Sequence, residues 1–408
     1  MRLLQECEHL KFPMICSVAF GCFPWEFYFP DNKSRRRAYE IYGRIMFAYY
    51  IVFIFTIFVQ LVVMLKRPDF DIDAVCANMC VTLINTVTLF RQLVFHFNPK
   101  FKKIIQKVID MESQVYRKGD EKICSIYTKY VKGINKSLKL YFCFIGSLLV
   151  IFCVRPLLAD PVEQRVGDEV KLVRPLPQSS WFPIDTEEQY LYVYTWGCIN
   201  CMISAFFVTC SDLIMFALLT QPMGHLNILH EILQNFDEHK RNFALRNQIV
   251  NDDIAAYWTL VDVIKHHNEI ITYVNEINDC MSFVMLCDFL QSSLQVACIL
   301  TQALENDIDV FLVLFMISFI GSMFLRLILY YHYGNELLTT SQNIALSAWQ
   351  SNWYDQSPQV KIMMFTVIAR AQKPLKFYLG QFGVMSLQAF ISVLRASYSY
   401  MTLMYGLN

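Results

Sequence analysis

From Gly383 to Leu407 the chain reads GVMSLQAFISVLRASYSYMTLMYGL. The stretch is apolar enough to cross a bilayer, for which about 20 mostly apolar residues suffice. It nevertheless carries Arg395 and a run of serines and tyrosines. A helix that only anchors a protein has no use for such groups, whereas one that touches water or packs on copies of itself does. The stretch predicts a membrane protein whose final helix does more than anchor.

The rest of the 408 residues agree. Apolar residues make up 55% and charged ones 17%, against about a quarter charged in an ordinary soluble domain. Formal net charge is zero, which argues against nucleic-acid binding. Of the 14 cysteines, Cys76, Cys80, Cys143, Cys153, Cys210, Cys280, Cys287 and Cys298 sit in apolar stretches and read as small hydrophobes. No disulfide framework is implied. The opening MRLLQECEHL lacks the apolar core of a cleaved signal peptide.

Seven stretches are long and apolar enough to cross: Ile45–Leu65, Ile72–Phe97, Leu138–Leu158, Tyr190–Leu219, Cys280–Ala303, Ile308–Tyr331 and Gln381–Tyr405. The second is interrupted by Asn78, Asn85, Arg91 and Gln92. Basic residues crowd the lead-in (Lys33, Arg35, Arg36, Arg37, Arg44) and the second connection, from Lys100 to Lys139. The link Glu305–Asp309 has none. The positive-inside rule then places the N-terminus in the cytoplasm and the C-terminus outside. The predicted fold class is an all-α membrane protein of seven transmembrane helices. Its divisions are a cytoplasmic segment (1–44), six helices (45–331) with an outer loop at 160–189, a cytoplasmic helical anchor (332–380) and a seventh helix (381–408). The sequons at Asn32 and Asn135 fall inside and should stay unglycosylated.

The outer loop holds Pro161, Pro175, Pro177 and Pro183, which block regular structure. Asp185 and Glu188 have capping-box spacing. An ordered lid and a plain surface loop are both compatible with this pattern. Between the last two spans, Ser357 and Pro358 read as a helix start. Val360, Met363, Met364, Val367 and Ile368 then form an apolar stripe. Subunit contact is its first reading and packing within the chain its second.

Charges inside spans are costly and functional or structural by default. Asp212, Asp288 and Arg326 lie roughly 5–10 residues from the inner ends of their spans, in one layer roughly 8–14 Å deep. They read as a paired cluster, or else Arg326 snorkels to the headgroups. The outer halves of the second to sixth spans are apolar with isolated polar groups, which suits a small neutral ligand. Candidate pocket residues are Thr82, Asn85, Ser147, Ile151, Val154, Tyr194, Ser292, Gln295 and Phe315. No catalytic, metal or cofactor site is predicted. Cys198 and Cys201 form a lone CxxC inside a span, His225 and His230 are five apart, and His266 and His267 are adjacent.

Three short elements carry a resemblance. They are Phe20-Gly21-Cys22-Phe23-Pro24, Trp181-Phe182-Pro183-Ile184-Asp185, and Arg370-Ala371-Gln372-Lys373-Pro374 with Ser386-Leu387, Phe390, Leu394 and Ser397-Tyr398-Ser399-Tyr400. Together they resemble the insect odorant receptors along the whole chain. Gustatory receptors end in Gln-Phe where Gly406-Leu407 stands here, and the odorant co-receptor has a longer fourth connection. A ligand-tuned subunit is the better fit. The resemblance implies a non-selective cation channel opened by a small neutral volatile. The channel would be a heterotetramer with the co-receptor, in the plasma membrane of olfactory neuron dendrites and in contact with lipid. It further implies that the last helix lines the pore, with Ser399 and Tyr400 in its wall and Leu403 and Leu407 as the gate. Arg395 reads as structural, since a cation channel gains little from unpaired positive charge. The alternatives are a gustatory-type channel, or a non-channel seven-helix receptor or transporter.

Overall fold

The computed structural model describes residues 7–24, 27, 32–66, 72–158, 162–166, 169–184, 188–305 and 310–405. Helices dominate it. A short α1 (Lys11–Phe20) precedes α2 (Lys33–Leu65), whose first turn is capped by the Asn32 side chain accepting from Arg35 N. Then come α3 (Ile72–Phe97), α4 (Pro99–Arg117) and α5 (Glu121–Leu158). They are followed by α6 (Tyr190–Gln234), α7 (Phe236–Asn247), α8 (Asp252–Glu305), α9 (Val310–Gln350), α10 (Pro358–Ala371) and α11 (Leu387–Tyr405). The fold is the predicted all-α membrane bundle of seven transmembrane helices. Five helices are long and apolar enough to cross by themselves among the described residues.

The helices outrun the hydropathy windows. The third span is the upper half of α5, and the fifth begins 28 residues into the 54-residue α8. At 1.5 Å per residue α8 is about 80 Å long, against about 30 Å of hydrocarbon. Hydropathy sees only the part in lipid. The amphipathic remainder continues as the same helices and packs into the lower half of the molecule.

That lower half is the densest part of the molecule. From Phe207 to Leu229 nearly every side chain of α6 is buried. The same core takes in Ile270, Tyr273, Val274 and Ile277 of α8 and Leu337 and Ile344 of α9, against which Val360, Met364 and Val367 of α10 pack. The α10 stripe thus packs on its own chain, which corrects the order of the two readings given to it; Ile362 and Phe365 face outward instead. Glu112 of α4 ties the N-terminal segment to this core by accepting from the backbone N–H of Glu8 (2.8 Å) and the Cys7 thiol (2.9 Å).

Two hairpins interrupt the helices. β1 (Val162–Val166) pairs antiparallel with β2 (Glu169–Val173) in the proline-bounded loop. β3 (Tyr378–Leu379) and β4 (Gly383–Val384) occupy the predicted start of the last span, so α11 begins six residues later than expected. Gly380 makes that turn possible: its φ is +56°, and a Cβ there would lie 2.8 Å from Leu286 Cδ2.

Candidate ligand cavity and the charge cluster beneath it

A cavity of about 170 Å³ opens between the outer halves of α3, α5, α6 and α9. Three helices line it by the same rule: Ile145, Leu148, Leu149 and Phe152 on α5, Cys201, Ser204, Ala205 and Val208 on α6, and Phe319, Ser322, Met323 and Arg326 on α9. Each set follows i, i+3, i+4, i+7, the single face of a helix. Val81, Ile84 and Asn85 of α3 and Gln295 of α8 complete the wall.

Residues 178–181 of the loop before α6 form the roof and are tied down. Trp181 N donates to the Thr56 carbonyl at 3.3 Å, and Asn78 Nδ2 donates to Ser179 O at 2.8 Å. Gln178 lines the cavity, with its Oε1 accepting from the Cys201 thiol at 3.3 Å. Its Nε2 is buried without a partner. The expected capping box contributes nothing visible: Asp185 lies outside the described residues, and Gln189 precedes α6 without a side-chain cap.

Most other polar groups of the wall are engaged. Asn85 Oδ1 accepts from Tyr50 (2.7 Å) and Ser204 (2.8 Å) while its Nδ2 donates to Val81 O. Gln295 Nε2 donates to Cys80 O at 3.3 Å, and its Oε1 accepts from Gln291. Gln178 Nε2 is therefore a free donor above a mostly apolar chamber.

The floor is ionic. Arg326 Nε donates to Asp212 Oδ2 (2.8 Å) and its Nη2 to Asp288 Oδ1 (2.6 Å). Arg91 of α3 joins them, through Nη1 to Asp212 and through Nη2 to Asp288 Oδ1 at 2.7 Å. Tyr141 and Tyr330 donate to Asp212 at 2.9 and 2.8 Å. Asp212 thus accepts four hydrogen bonds, filling the lone-pair sites of a carboxylate. Two cations and two anions leave no net charge, the condition under which buried ions persist in lipid. Arg91 had been read only as an interruption of its span. It lies six residues from Phe97, at the depth of the other three, and a layer with two acids and one base called for a second cation.

The structure sorts the expected pocket residues. Asn85 and Gln295 line the cavity. Thr82 is buried but bonds back to Asn78 O (2.9 Å), and Ser292 is buried off the wall. Tyr194 ties α6 to α5 through Cys153 O at 2.6 Å. Ser147, Ile151 and Val154 are corrected: all three are exposed and turned away from the chamber. The lining stripe is offset by one or two residues, and each residue turns a helix by about 100°. Lipid-facing and ligand-facing surfaces are both apolar, so hydropathy could not separate them. The side chain of Phe315 lies outside the described residues.

On α11, Val393 and Ser397 are buried, with Ser397 donating to Ser293 O at 2.9 Å. Gln388, Ser392, Arg395, Ser399 and Thr402 are all exposed on one polar face. Arg395 therefore points away from its own chain instead of packing within it. Leu407, and the side chains of Tyr400 and Leu403, lie outside the described residues.

The family profile described as 7tm Odorant receptor matches residues 71–398. The chain belongs to that family. Odorant receptor 67c of Drosophila melanogaster is 25% identical over 323 residues, covering 78% of this chain and 69% of the relative. Odorant receptor 13a of the same fly is 22% identical across 97% of this chain and 95% of its own. The odorant receptor coreceptor of Anopheles gambiae matches over only 41% of this chain and 35% of its own, at 26% identity. In fold, this odorant receptor is similar to the insect olfactory receptor OR5 from Machilis hrabei in complex with eugenol. The TM-score is 0.77 at 16% identity, covering all of both chains. Against a second structure of the same receptor the score is 0.75 over 98% of each chain. The family and fold are those of a multi-pass membrane receptor.

Proposed function

We propose that this odorant receptor is the ligand-tuned subunit of a heteromeric cation channel, assembled with a co-receptor and opened by a small neutral volatile. The cavity carries the reading. At about 170 Å³ it is smaller than the 300–1,000 Å³ common for drug-sized ligands. Its wall is apolar, and Gln178 Nε2 is positioned to donate to a hydroxyl or carbonyl oxygen. Arg326, the charged group lining it, is held by two carboxylates, so an acidic ligand gains no free counter-ion.

The route to the pore runs through α9. The helix that supplies Phe319 and Arg326 to the cavity packs Phe324 and Tyr331 against Phe390 of α11, with ring centroids 6.4 and 6.1 Å apart. A ligand that spreads the cavity wall shifts α9, and α9 carries α11. The polar face of α11 suits a water-filled conduit shared between subunits, with Ser399 and Tyr400 in its wall and Leu403 and Leu407 as the constriction. Olfactory neuron dendrites are the proposed site of action.

The test is a panel of neutral volatiles applied to the chain co-expressed with a co-receptor in cells whose G proteins are blocked. Currents are expected in wild type and lost in Ala205→Phe, which fills the chamber, with surface expression unchanged. Currents abolished by the G-protein block, or unaltered by Ala205→Phe, would overturn the reading.

A further inference from the structure

The lower half of α5, up to Lys139, takes no part in the cavity. Lys129, Lys132, Lys136 and Lys139 are all exposed there, at spacing i, i+3, i+7, i+10. At 100° per residue they share a sector of about 80°. None of the four makes an ion pair among the described residues, and Lys139 rests over the Phe12 ring at 5.8 Å. After Glu121 the helix contains no acidic residue. The same sector continues upward as Cys143, Ser147, Val150, Val154 and Leu157, every one exposed. One face of one helix is thus uncharged and turned to lipid above Lys139, and cationic below.

Depth selects the ligand. Lys139 stands at the inner edge of the span, and Lys136, Lys132 and Lys129 follow about 4.5, 10 and 15 Å further along the axis. The headgroup layer is only about 5–7 Å thick on each side. Lys139 and Lys136 reach any anionic lipid, whereas Lys132 and Lys129 meet only a headgroup that projects beyond the layer and carries more than one phosphate. Cationic clusters just below a membrane helix recognise such anions. We propose that this stripe binds an inositol phospholipid phosphorylated on its ring.

The proposal is tested with the detergent-purified full chain and two fluorescent short-chain lipids, phosphatidylinositol bisphosphate and phosphatidylserine. Wild type is expected to bind the bisphosphate at least tenfold more tightly than the serine lipid. The K129Q/K132Q/K136Q/K139Q variant should lose that binding by tenfold or more, and the corresponding four-arginine variant should retain it. Neutralising Lys33, Arg35 and Arg37 on α2 should leave it within twofold. Equal affinity of wild type for the two lipids overturns the proposal even where the glutamine variant fails to fold. So does a folded glutamine variant with wild-type affinity, or an equal loss from the α2 changes.

Discussion

The two halves of α6 belong to one unbroken helix and live in different surroundings. From Tyr190 to Phe206 buried and exposed residues alternate by turn, and the helix borders both the loop above it and the cavity. From Phe207 to Leu229 it is enclosed by α5, α8 and α9. The boundary is the layer of Arg91, Asp212, Asp288 and Arg326. A receptor needs both conditions: a half that yields to a ligand and a half that holds the subunit while it does. Local stability varies in this way wherever binding is coupled to movement.

Breaking the boundary should have the largest effect. Asp212→Asn leaves two arginines facing one carboxylate, and Arg326→Met leaves two carboxylates facing one arginine. Each is expected to cost about 3–5 kcal/mol, seen as lost surface expression and a lowered thermal midpoint. Pairing Arg326→Met with Asp288→Leu restores neutrality and should recover much of the loss. A double variant as impaired as the single one would show that geometry, and not charge balance, holds the layer.

Acid should loosen the lower half selectively. Burial lowers His9 and His267, both outside the spans, to about 4 from an ordinary 6.5. Folded, they hold a proton less tightly than the unfolded chain does, so their contribution is intact above pH 6.5 and is lost as pH falls toward 4. Each should cost about 2 kcal/mol at pH 5. Thermal unfolding of the purified chain between pH 7.5 and 5 checks this, and His9→Gln with His267→Gln should reduce the dependence, the remainder coming from His225 and His266, which burial also lowers.

A smaller effect should follow at the hinge between α10 and α11. Gly380→Ala places a methyl group against Leu286 at a positive φ and is expected to cost about 1–3 kcal/mol, read as a lowered thermal midpoint. The smallest effect belongs to the lipid face of the upper half. Ser147→Ala and Ile151→Val should change stability by less than about 0.5 kcal/mol and leave the ligand response unaltered. A shifted response would return α5's outer face to the pocket.

Asp212, Asp288 and Arg326 could be grouped from sequence because each is an isolated charge at one depth of an apolar segment, and lipid punishes such charges unless they meet. The amphipathic stripe at Val360–Ile368 was visible as periodicity, yet its partner was not, since an apolar face is satisfied equally by its own chain or another. The α5 stripe was missed for a related reason: Ile145, Leu148, Leu149 and Phe152 look no different from the neighbours that face lipid.

Span number was determined by the sequence, because hydrocarbon thickness and the cost of buried charge act on segments one at a time, and the family was legible in its short motifs. Rotation about each helix axis was decided only by tertiary packing. That rotation chooses which apolar face closes the cavity and brings Arg91 to the two aspartates. It depends on contacts between segments far apart in the chain, which no single segment encodes.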